Sequence, residues 1–456
     1  MEGKDCLVSE KEQALVPPEW LGRSAVYQVN LRTFSREGTI SALTEELPFL
    51  HELGFDVIYL CPVFTEDDSM DKAYWSTRQK ASGTGNPKNP YRISDYFYVD
   101  PEYGNEQDVR ELVDRAHGFG MRILFDLVYM HTAPHSRLLE NHPEFVQRDE
   151  EGKIKYTSYH FPVLDFENPG LRQYLWANMV FLTAEWDVDG FRCDVGDAVP
   201  LDFWEEGRRR IQAVKRDAVL IDEGFKFSSM MTAFDSCYGV LWHEDLHNVF
   251  CNGAPASLMK ESWKKTETEA PKGAKILRDM DNHDTATDWP ARVEKEAGHD
   301  GMEQILAINY LIDGIPMVYC GNELACDAKI NFFANRFYMG KYEVTDRDGK
   351  TSPDSVRRQK VLKLLNGLKK DSDILLNGTT EWLKHSKPEE VLAFLREYKG
   401  KQIVFVGNTK AVPCTVEVEG LPVEGTTILC NGVADQNQNI ISLHPHGYIV
   451  IASQRD

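Results

Sequence analysis

Short apolar runs alternate with stretches of helical periodicity over most of the chain, and this alternation limits the possible folds more than any other feature. The runs that have the length and composition of buried strands lie at 24–30, 56–61, 122–128, 190–194, 218–222, 238–242, 274–278 and 316–319. Between two of them, Leu43, Leu47 and Leu50 recur at helical spacing. Strands joined by helical crossovers form a parallel sheet covered by helices. Eight such units over roughly 350 residues predict a (β/α)8 barrel.

After about residue 376 the pattern changes to short strands broken by Gly, Pro and Asn. These strands lie at 391–397, 402–406, 415–418, 427–430 and 448–451. Their spacing predicts a separate antiparallel β domain. We therefore expect a barrel formed by residues 1–131 and 172–375, a short insertion at 132–171 after the third strand, and a C-terminal domain at 376–456.

Composition excludes several classes of partner. Lys and Arg number 51 and Asp and Glu number 72, which gives a net charge of −21. Nucleic acids and anionic membranes require an excess of basic residues, so we expect neither as a partner. The sequence starts without an apolar signal core, and no apolar run approaches the roughly 20 residues that span a bilayer. These features predict a cytoplasmic protein.

The nine cysteines are irregularly spaced and include no CxxC pair, which makes a zinc knuckle unlikely on spacing alone. Cys61, Cys193 and Cys320 lie inside apolar runs and are predicted to be buried, reduced thiols.

Ionisable residues follow four of the predicted strands at their carboxyl ends. They are His131 after the third strand, Arg192 and Asp194 at the fourth, Glu223 after the fifth, and His283 and Asp284 after the seventh. In a parallel barrel these ends meet at one mouth, where catalytic side chains lie. The sequence therefore predicts one cleft that contains three carboxylates, an arginine and two histidines.

This set of side chains is suited to glycoside cleavage, which requires an acid for the leaving oxygen and an anion facing the oxocarbenium ion. Arg192 is expected to keep Asp194 ionised, as a nucleophile must be. Burial among other acids is expected to raise the pKa of Glu223, as suits a proton donor. Asp284 is expected to bind sugar hydroxyls and to stabilise the charged transition state.

Each residue also has a simpler interpretation. A single Asp at a strand end is commonly a helix cap or turn residue, and Arg192 with Asp194 forms a plain ion pair in many proteins. A metal site built from the histidines lacks HxH or HExxH spacing. The functional interpretation is favoured because these ionisable residues occur together at the ends of four strands of one barrel. Arg336, Trp75 and Trp289 are weaker candidates for substrate contacts, and packing is the expected role of the two tryptophans.

The motifs at these positions resemble those of the α-amylase family of retaining glycoside hydrolases. The matching segments are Asp126–His131, Gly190–Asp194, Glu223 in Ile221–Gly224, Asp281–Asp284, Gly314–Glu323, and Tyr91 in Pro90–Tyr96. The resemblance runs from about residue 24 to the end of the chain. It implies a (β/α)8 barrel with a short excursion after the third strand and a C-terminal antiparallel β-sandwich.

Carried over by position, the resemblance implies a role for each candidate. Asp194 would be the nucleophile, Glu223 the acid/base and Asp284 the transition-state stabiliser. Arg192 would orient Asp194, and His131, His283 and Tyr91 would hold the sugar. No cofactor is implied.

Two positions depart from the family pattern. Met130 stands where the family has an asparagine that binds calcium, and a thioether is a poor ligand for a hard cation. We therefore predict no metal at that position. Val195-Gly196-Asp197 follows the nucleophile position in place of the Lys-His pair of endo-acting α-amylases, which leaves the linkage preference open.

The resulting prediction is a retaining hydrolase of α-glucosidic bonds in malto-oligosaccharides or α-glucans. One alternative is a glucanotransferase or a trehalose- or isomaltose-type transglycosylating enzyme with the same catalytic residues. A non-catalytic carbohydrate-binding protein is another, and it is disfavoured because all three acids are present. Substrate length, endo or exo action and oligomeric state are open at this stage.

Overall fold

The structure is a computed structural model and describes residues 12–334, 352–422 and 425–454. Its strands are β1 (Val26–Val29), β2 (Val57–Leu60), β3 (Phe64–Glu66), β4 (Ile93–Val99), β5 (Arg122–Leu127), β6 (Gly190–Cys193), β7 (Val219–Asp222), β8 (Ser236–Tyr238), β9 (Ile276–Arg278), β10 (Ile315–Tyr319), β11 (Thr379–Trp382), β12 (Val391–Tyr398), β13 (Lys401–Asn408), β14 (Cys414–Glu417), β15 (Thr426–Asn437) and β16 (Ile440–Gln454). Its α-helices are α1 (Glu19–Gly22), α2 (Leu31–Phe34), α3 (Ile40–Glu52), α4 (Thr77–Ala81), α5 (Glu106–Gly118), α6 (Arg137–Asn141), α7 (Pro169–Glu185), α8 (Leu201–Val214), α9 (Val240–Phe250), α10 (Ser257–Glu269), α11 (His283–Asp288), α12 (Val293–Glu296), α13 (Gly298–Leu311), α14 (Pro353–Asp371) and α15 (Asp373–Asn377).

Eight parallel strands close into a barrel in the order β1-β10-β9-β8-β7-β6-β5-β2. Closure occurs at β1, where Val26 aligns with Val57 of β2 on one side and with Met317 of β10 on the other. This confirms the predicted (β/α)8 barrel. Because all eight strands are parallel, their carboxyl ends lie at the same rim.

The barrel encloses its own apolar core. This core is formed by buried side chains from seven of the strands: Val26, Val57, Tyr59, Leu124, Val219, Ile221, Tyr238, Leu277, Ile315 and Met317. The strand that contributes none of them, β6, begins at Gly190, where an added Cβ would lie 2.3 Å from the Val219 carbonyl oxygen. Glycine therefore allows β6 to approach β7 closely. The side chain that β6 contributes to the predicted catalytic cleft is that of Arg192.

The predicted sixth strand at 238–242 is wrong in extent. The strand is β8, which ends at Tyr238, and Val240 begins helix α9. Trp242 is buried as a helix residue, and its indole N–H donates to Asn309 at 2.8 Å. A short apolar run is compatible with a buried strand or with a buried helix turn, and periodicity alone does not separate them.

The C-terminal strands form an antiparallel sheet, as predicted, in the order β11-β12-β13-β16-β14, and β15 also pairs with β16. This sheet has its own core, which includes Val404, Val406 and Ile449. The sheet contacts helix α13. The side-chain amide of Gln304 in this helix donates to the carbonyl oxygens of Asn408, His446 and Gly447.

Segments outside the barrel approach its carboxyl rim. The chain between β5 and α7 contains α6 and a short hairpin, in which Val146 faces Leu164 and Tyr156 faces Pro162. The connection after β2 contains α4 and the β3–β4 pair. These two segments cover part of the rim.

The predicted interior cysteines Cys61, Cys193 and Cys320 are buried thiols. Trp75 is buried as well, with 2 % of its surface exposed, and packs as expected. Arg336 lies outside the described residues. In the described ranges, every helix is too short or too polar to cross a membrane.

Candidate active site

Six of the seven residues predicted for the site line one cavity at the carboxyl rim. They are Tyr91, His131, Asp194, Glu223, His283 and Asp284. The cavity is open at its mouth, and the space between its walls, which includes open solvent, is about 490 Å³. The seventh residue, Arg192, lies behind the cavity wall with 1 % of its surface exposed.

The barrel strands determine where the acids lie. Asp194 directly follows β6 and Glu223 directly follows β7, and the Asp194 and Glu223 backbone N–H groups continue the pairing of the parallel strands. Asp284 lies in the first turn of α11, which Asn282 caps by accepting from the Asp284 and Thr285 N–H groups. The acids are thus held by backbone structure and do not depend on loop conformation.

One arginine contacts three carboxylates. Nη1 of Arg192 lies 2.8 Å from Asp126 Oδ1 and 2.9 Å from Asp194 Oδ1, and Nη2 lies 2.8 Å from Glu223 Oε2. Asp194 and Glu223 therefore contact neighbouring nitrogens of the same planar group. This guanidinium fixes the relative position of the two carboxylates.

Arg192 has the expected effect of favouring the ionised form of Asp194, but burial outweighs it. Burial raises the pKa of Asp194 well above its ordinary value, and Glu223 adds to this, while Arg192 opposes it. A single cation is shared among three acids, so it does not offset the loss of solvation at each. The predicted rise in the pKa of Glu223 is present. Burial and the charge of Asp284 raise this pKa, and Arg192, which lowers it, does not cancel them.

Val195, the residue after Asp194, has an unusual backbone conformation. Its φ is 42°, in the left-handed region that β-branched residues rarely adopt. Its N–H donates to Glu223 Oε2 at 2.9 Å. The strained residue therefore contributes to holding the same oxygen that Arg192 contacts.

A chain of hydrogen bonds defines the protonation of His283. Gln28 accepts from the His283 backbone N–H, so its amide nitrogen faces His283 Nδ1 at 2.9 Å. His283 Nε2 then donates to the Tyr91 hydroxyl at 2.7 Å, and Tyr91 donates to Asp126 at 3.0 Å. Burial lowers the pKa of His283, which is consistent with this neutral tautomer. The Tyr91 and His283 rings also stack, with centroids 5.2 Å apart.

His131 is a second neutral imidazole in the wall. Its Nε2 donates to the Tyr91 carbonyl oxygen at 2.8 Å, and its buried Nδ1 has no hydrogen-bond partner among the described residues. Burial lowers the pKa of His131 to about 4. Nδ1 is therefore a buried acceptor that no described side chain or backbone group satisfies.

Several cavity residues were not among those predicted. They are Ser76, Arg78, Asn89, Tyr159, Phe161, Val195, Phe332 and Phe333. Consecutive aromatic residues after the eighth strand, and others in the 132–171 segment, are a compositional signal for the four aromatic side chains. Nothing in the local pattern marks Arg78, which lies in the short helix α4 within a connection rich in Gly, Asn and Pro. Its Nη2 is nevertheless 2.6 Å from Asp284 Oδ1.

Among the described residues, the side chains that line the cavity do not form a cluster of metal ligands. In the described part of the chain, three ligand atoms of His, Cys, Asp or Glu lie within 4.8 Å of one another at His247, Cys251 and Glu296, outside this cavity. The prediction that no metal binds beside Met130 stays a prediction.

Comparisons with known proteins agree with this architecture. Residues 18–151 match the family model described as the α-amylase catalytic domain. The α-amylase MalA of Haloarcula japonica is 26 % identical over 323 residues, which cover 67 % of this chain and 45 % of that protein. The intracellular maltogenic amylase of Bacillus subtilis is 22 % identical over 443 residues, covering 91 % of this chain and 70 % of that protein.

A solved structure shows the same fold over nearly the whole chain. The noncanonic maltogenic α-amylase AmyB of Thermotoga neapolitana superposes with a TM-score of 0.76 at 23 % identity, covering 96 % of this chain and 97 % of that one. The relatives matched by sequence are glycosidases of the O-glycosyl hydrolase class. More particularly, residues 18–151 are similar to the catalytic domain of the α-amylase family, and the matched relatives include maltogenic amylase and cyclomaltodextrinase.

Proposed function

We propose that this protein is a retaining glycosidase that cleaves α-glucosidic bonds in malto-oligosaccharides or related α-glucans. The observation that carries the proposal is the contact of Asp194 and Glu223 with adjacent nitrogens of Arg192 at one cavity. A nucleophile and a proton donor must flank the same glycosidic bond in this mechanism. The relatives matched by sequence include maltogenic amylases and cyclomaltodextrinases, and these activities support the substrate class.

In the proposed reaction, Asp194 attacks the anomeric carbon while Glu223 protonates the departing oxygen. Asp194 Oδ1 is held by Arg192, so Oδ2 is the attacking atom. Glu223 Oε2 is held by Arg192 and Val195, so Oε1 is the oxygen that carries the proton. Water then attacks the covalent intermediate with Glu223 as base, which gives net retention.

The raised pKa values of both carboxyls mean that the pair keeps a proton to higher pH than isolated carboxyls would. The proposal places that proton on Glu223 and leaves the charge on Asp194 beside Arg192. We expect the two carboxyl groups to lie roughly 5–5.5 Å apart, the separation of retaining enzymes.

The remaining residues are assigned to substrate binding. Asp284, His283 and His131 would contact sugar hydroxyls, and the Tyr91 ring would face the sugar C–H bonds. The cavity wall also includes Tyr159 and Phe161 from the segment after β5 and Phe332 and Phe333 from the segment after β10. Such a lined cavity suits a chain end or a short oligosaccharide, and we propose short malto-oligosaccharides as the preferred substrates.

The test of the assigned roles is azide rescue with an activated α-glucoside. We expect Asp194→Ala and Glu223→Ala each to lose most of their turnover. Azide should restore D194A and give the β-glucosyl azide, because it replaces the nucleophile directly. Azide should restore E223A and give the α-glucosyl azide, because it then attacks the intermediate. D222N is the matched control, since Asp222 is a buried neighbour of Glu223 outside the cavity.

Substrate class is tested separately with maltotriose, maltose, isomaltose, trehalose, pullulan and starch. We expect maltotriose to give glucose and maltose. Products longer than maltotriose would favour the transglycosylating alternative, and the absence of nitrophenol release from any α-glucoside would contradict catalysis altogether. Azide products of the opposite configuration would overturn the assignment of Asp194 and Glu223.

A further inference from the structure

A cluster of three metal-ligating side chains lies outside the active-site cavity, between α9 and α12. One ligand atom from each of His247, Cys251 and Glu296 lies within 4.8 Å of the other two. His247 Nε2 is 2.8 Å from Glu296 Oε2. The cluster differs from a loose surface ion pair, because the side chains of His247 and Glu296 are only 19 % and 27 % exposed.

Helical spacing places two of the three ligands on one face. His247 and Cys251 are four residues apart, and the Cys251 N–H donates to the His247 carbonyl oxygen at 2.8 Å, which continues the α-helical pattern to Cys251. Residues at this spacing lie one above the other on a helix. Their side chains therefore project together toward Glu296, the last residue of α12.

The surrounding structure holds both sides of the cluster in place. The Trp289 ring packs on the His247 ring with centroids 3.9 Å apart. Glu296 lies one turn after Arg292, which is buried and pairs with Asp281 at 2.6 Å. The Asn252 amide lies 3.4 Å from His247 Nδ1, so a neighbour is present at the nitrogen that does not face Glu296.

The donor set selects the class of ion. Thiolate, imidazole and carboxylate together suit Zn²⁺, whereas Ca²⁺ and Mg²⁺ require oxygen ligands. Tetrahedral bonds of the usual lengths would separate the ligand atoms by roughly 3.4–3.6 Å. The atoms are already within 4.8 Å of one another, so small rotations of the side chains would complete the site.

We propose that His247, Cys251 and Glu296 form a binding site for a zinc-class transition-metal ion, with water as the fourth ligand. The ion would join α9, which follows the sixth barrel strand, to α12, which follows Asp284 in sequence. The site is independent of the glycosidase proposal, because none of its three ligands lines the active-site cavity.

The test uses cobalt(II) as a spectroscopic probe on the full-length, chelator-treated protein. Thiolate coordination to cobalt gives a near-ultraviolet charge-transfer band. We expect this band to saturate at one ion per chain and to disappear when zinc is added in competition. C251S should abolish the band, whereas C430S, the matched control at an exposed cysteine, should keep it. Zinc should raise the Tm of the wild-type protein and of C430S but not of C251S.

The variants H247N and E296Q test the site while Cys251 is kept. Each should weaken zinc binding by at least about tenfold, since the loss of even an outer hydrogen-bond partner costs that much. A wild-type protein without the cobalt band, or a band that persists in C251S, would overturn the proposal. So would zinc affinity that is unchanged in both H247N and E296Q.

Discussion

The Arg78 guanidinium lies 2.6 Å from the carboxylate of Asp284, across the candidate active-site cavity. Arg78 belongs to α4, in the connection after the second barrel strand, and Asp284 lies in the first turn of the helix after the seventh. The same side chain contacts Asp288 at 2.8 Å and lies over the Phe332 ring at 5.0 Å. Two segments that are distant in sequence are thus tied together at the cavity.

We predict that R78M shifts the acid limb of the pH–activity profile to higher pH. Burial favours the neutral form of Asp284, but His283 and Arg78 outweigh it and hold the pKa of Asp284 well below its ordinary range. Removing Arg78 takes away one of the effects that lower this pKa, so Asp284 loses its charge at a higher pH. The measurement is kcat/KM against pH with a short malto-oligosaccharide.

D288N is the control for this shift, because it removes the other ion-pair partner of Arg78 and leaves the Arg78–Asp284 contact in place. We expect its acid limb to match that of the wild-type protein. An R78M profile that superposes on that of D288N would show that Arg78 does not set the charge of Asp284.

Tyr91→Phe should reduce both stability and activity. The hydroxyl donates to the buried Asp126 carboxylate and accepts from His283, and a hydrogen bond to a charged group contributes about 1.5–3 kcal/mol. We also expect kcat/KM to fall about tenfold, since a disordered His283 weakens transition-state contacts worth about 1.4 kcal/mol. Denaturant unfolding and steady-state kinetics measure the two effects.

Y310F separates the two effects of Y91F. Tyr310 donates to Asn366 at 2.7 Å in the buried interior, away from the cavity. It should lower stability without lowering kcat/KM. Equal kinetic loss in both variants would indicate that Tyr91 acts only through stability.

His131 makes folding sensitive to acid. Its pKa is about 4 in the folded protein because of burial, against about 6.5 in an unfolded chain. Between these values only the unfolded state binds the proton, so the stabilising contribution is complete above pH 6.5 and is lost as the pH falls to 4. The full loss is about 3 kcal/mol.

The measurement is the free energy of unfolding at pH 7.5 and pH 4.5. H131N should lose less stability between these conditions than the wild-type protein. H160N is the control, because His160 is exposed and its backbone φ of 68° is one that asparagine tolerates. An H131N variant with the pH dependence of H160N would contradict the prediction.

Lys369→Met should stabilise the protein at neutral pH. Burial, together with Lys275 and Arg396, lowers the pKa of Lys369 to about 7, and its ammonium group donates to the Gly314 carbonyl oxygen at 2.8 Å. The lowered pKa of Lys369 reduces the free energy of unfolding, and this reduction is fully present below pH 7. It disappears as the pH rises toward 10.5, where the unfolded chain also loses the proton. We expect a gain on the order of 3 kcal/mol at pH 7.

The gain for K369M should shrink at pH 10, as measured by thermal or denaturant unfolding. K370M is the matched control, because Lys370 is 55 % exposed and pairs with Asp56. A gain for K369M that is independent of pH would indicate that packing, and not the buried charge, is responsible.

Sequence patterning predicted the elements whose signal is local. Apolar runs that end in a polar residue, such as Phe191 to Asp194 and Leu220 to Glu223, identified the strands and the side chains at their carboxyl ends. The sixth strand was misplaced because Val240 and Trp242 continue an apolar run while the backbone has already turned into a helix. A buried strand and a buried helix turn share this pattern.

The sequence also did not predict that burial and Arg192 would have opposing effects on the pKa of Asp194. The spacing of Arg192 and Asp194 correctly predicts their contact, but it does not show that Asp126 and Glu223 share the same guanidinium. The pKa of a buried acid depends on every charge around it and on its loss of water. Neighbours along the chain are only part of that environment.

The barrel, the antiparallel β sheet after it and the strand ends at which the acids lie were predictable from local pattern, because hydrophobic periodicity and the polar residue that ends a strand are properties of neighbouring residues. The contact of Arg78 with Asp284, and the lining of one cavity by aromatic side chains from two separate connections, became known from the folded structure alone. Loops carry little periodic signal, and their positions over the rim depend on packing between segments far apart in the chain.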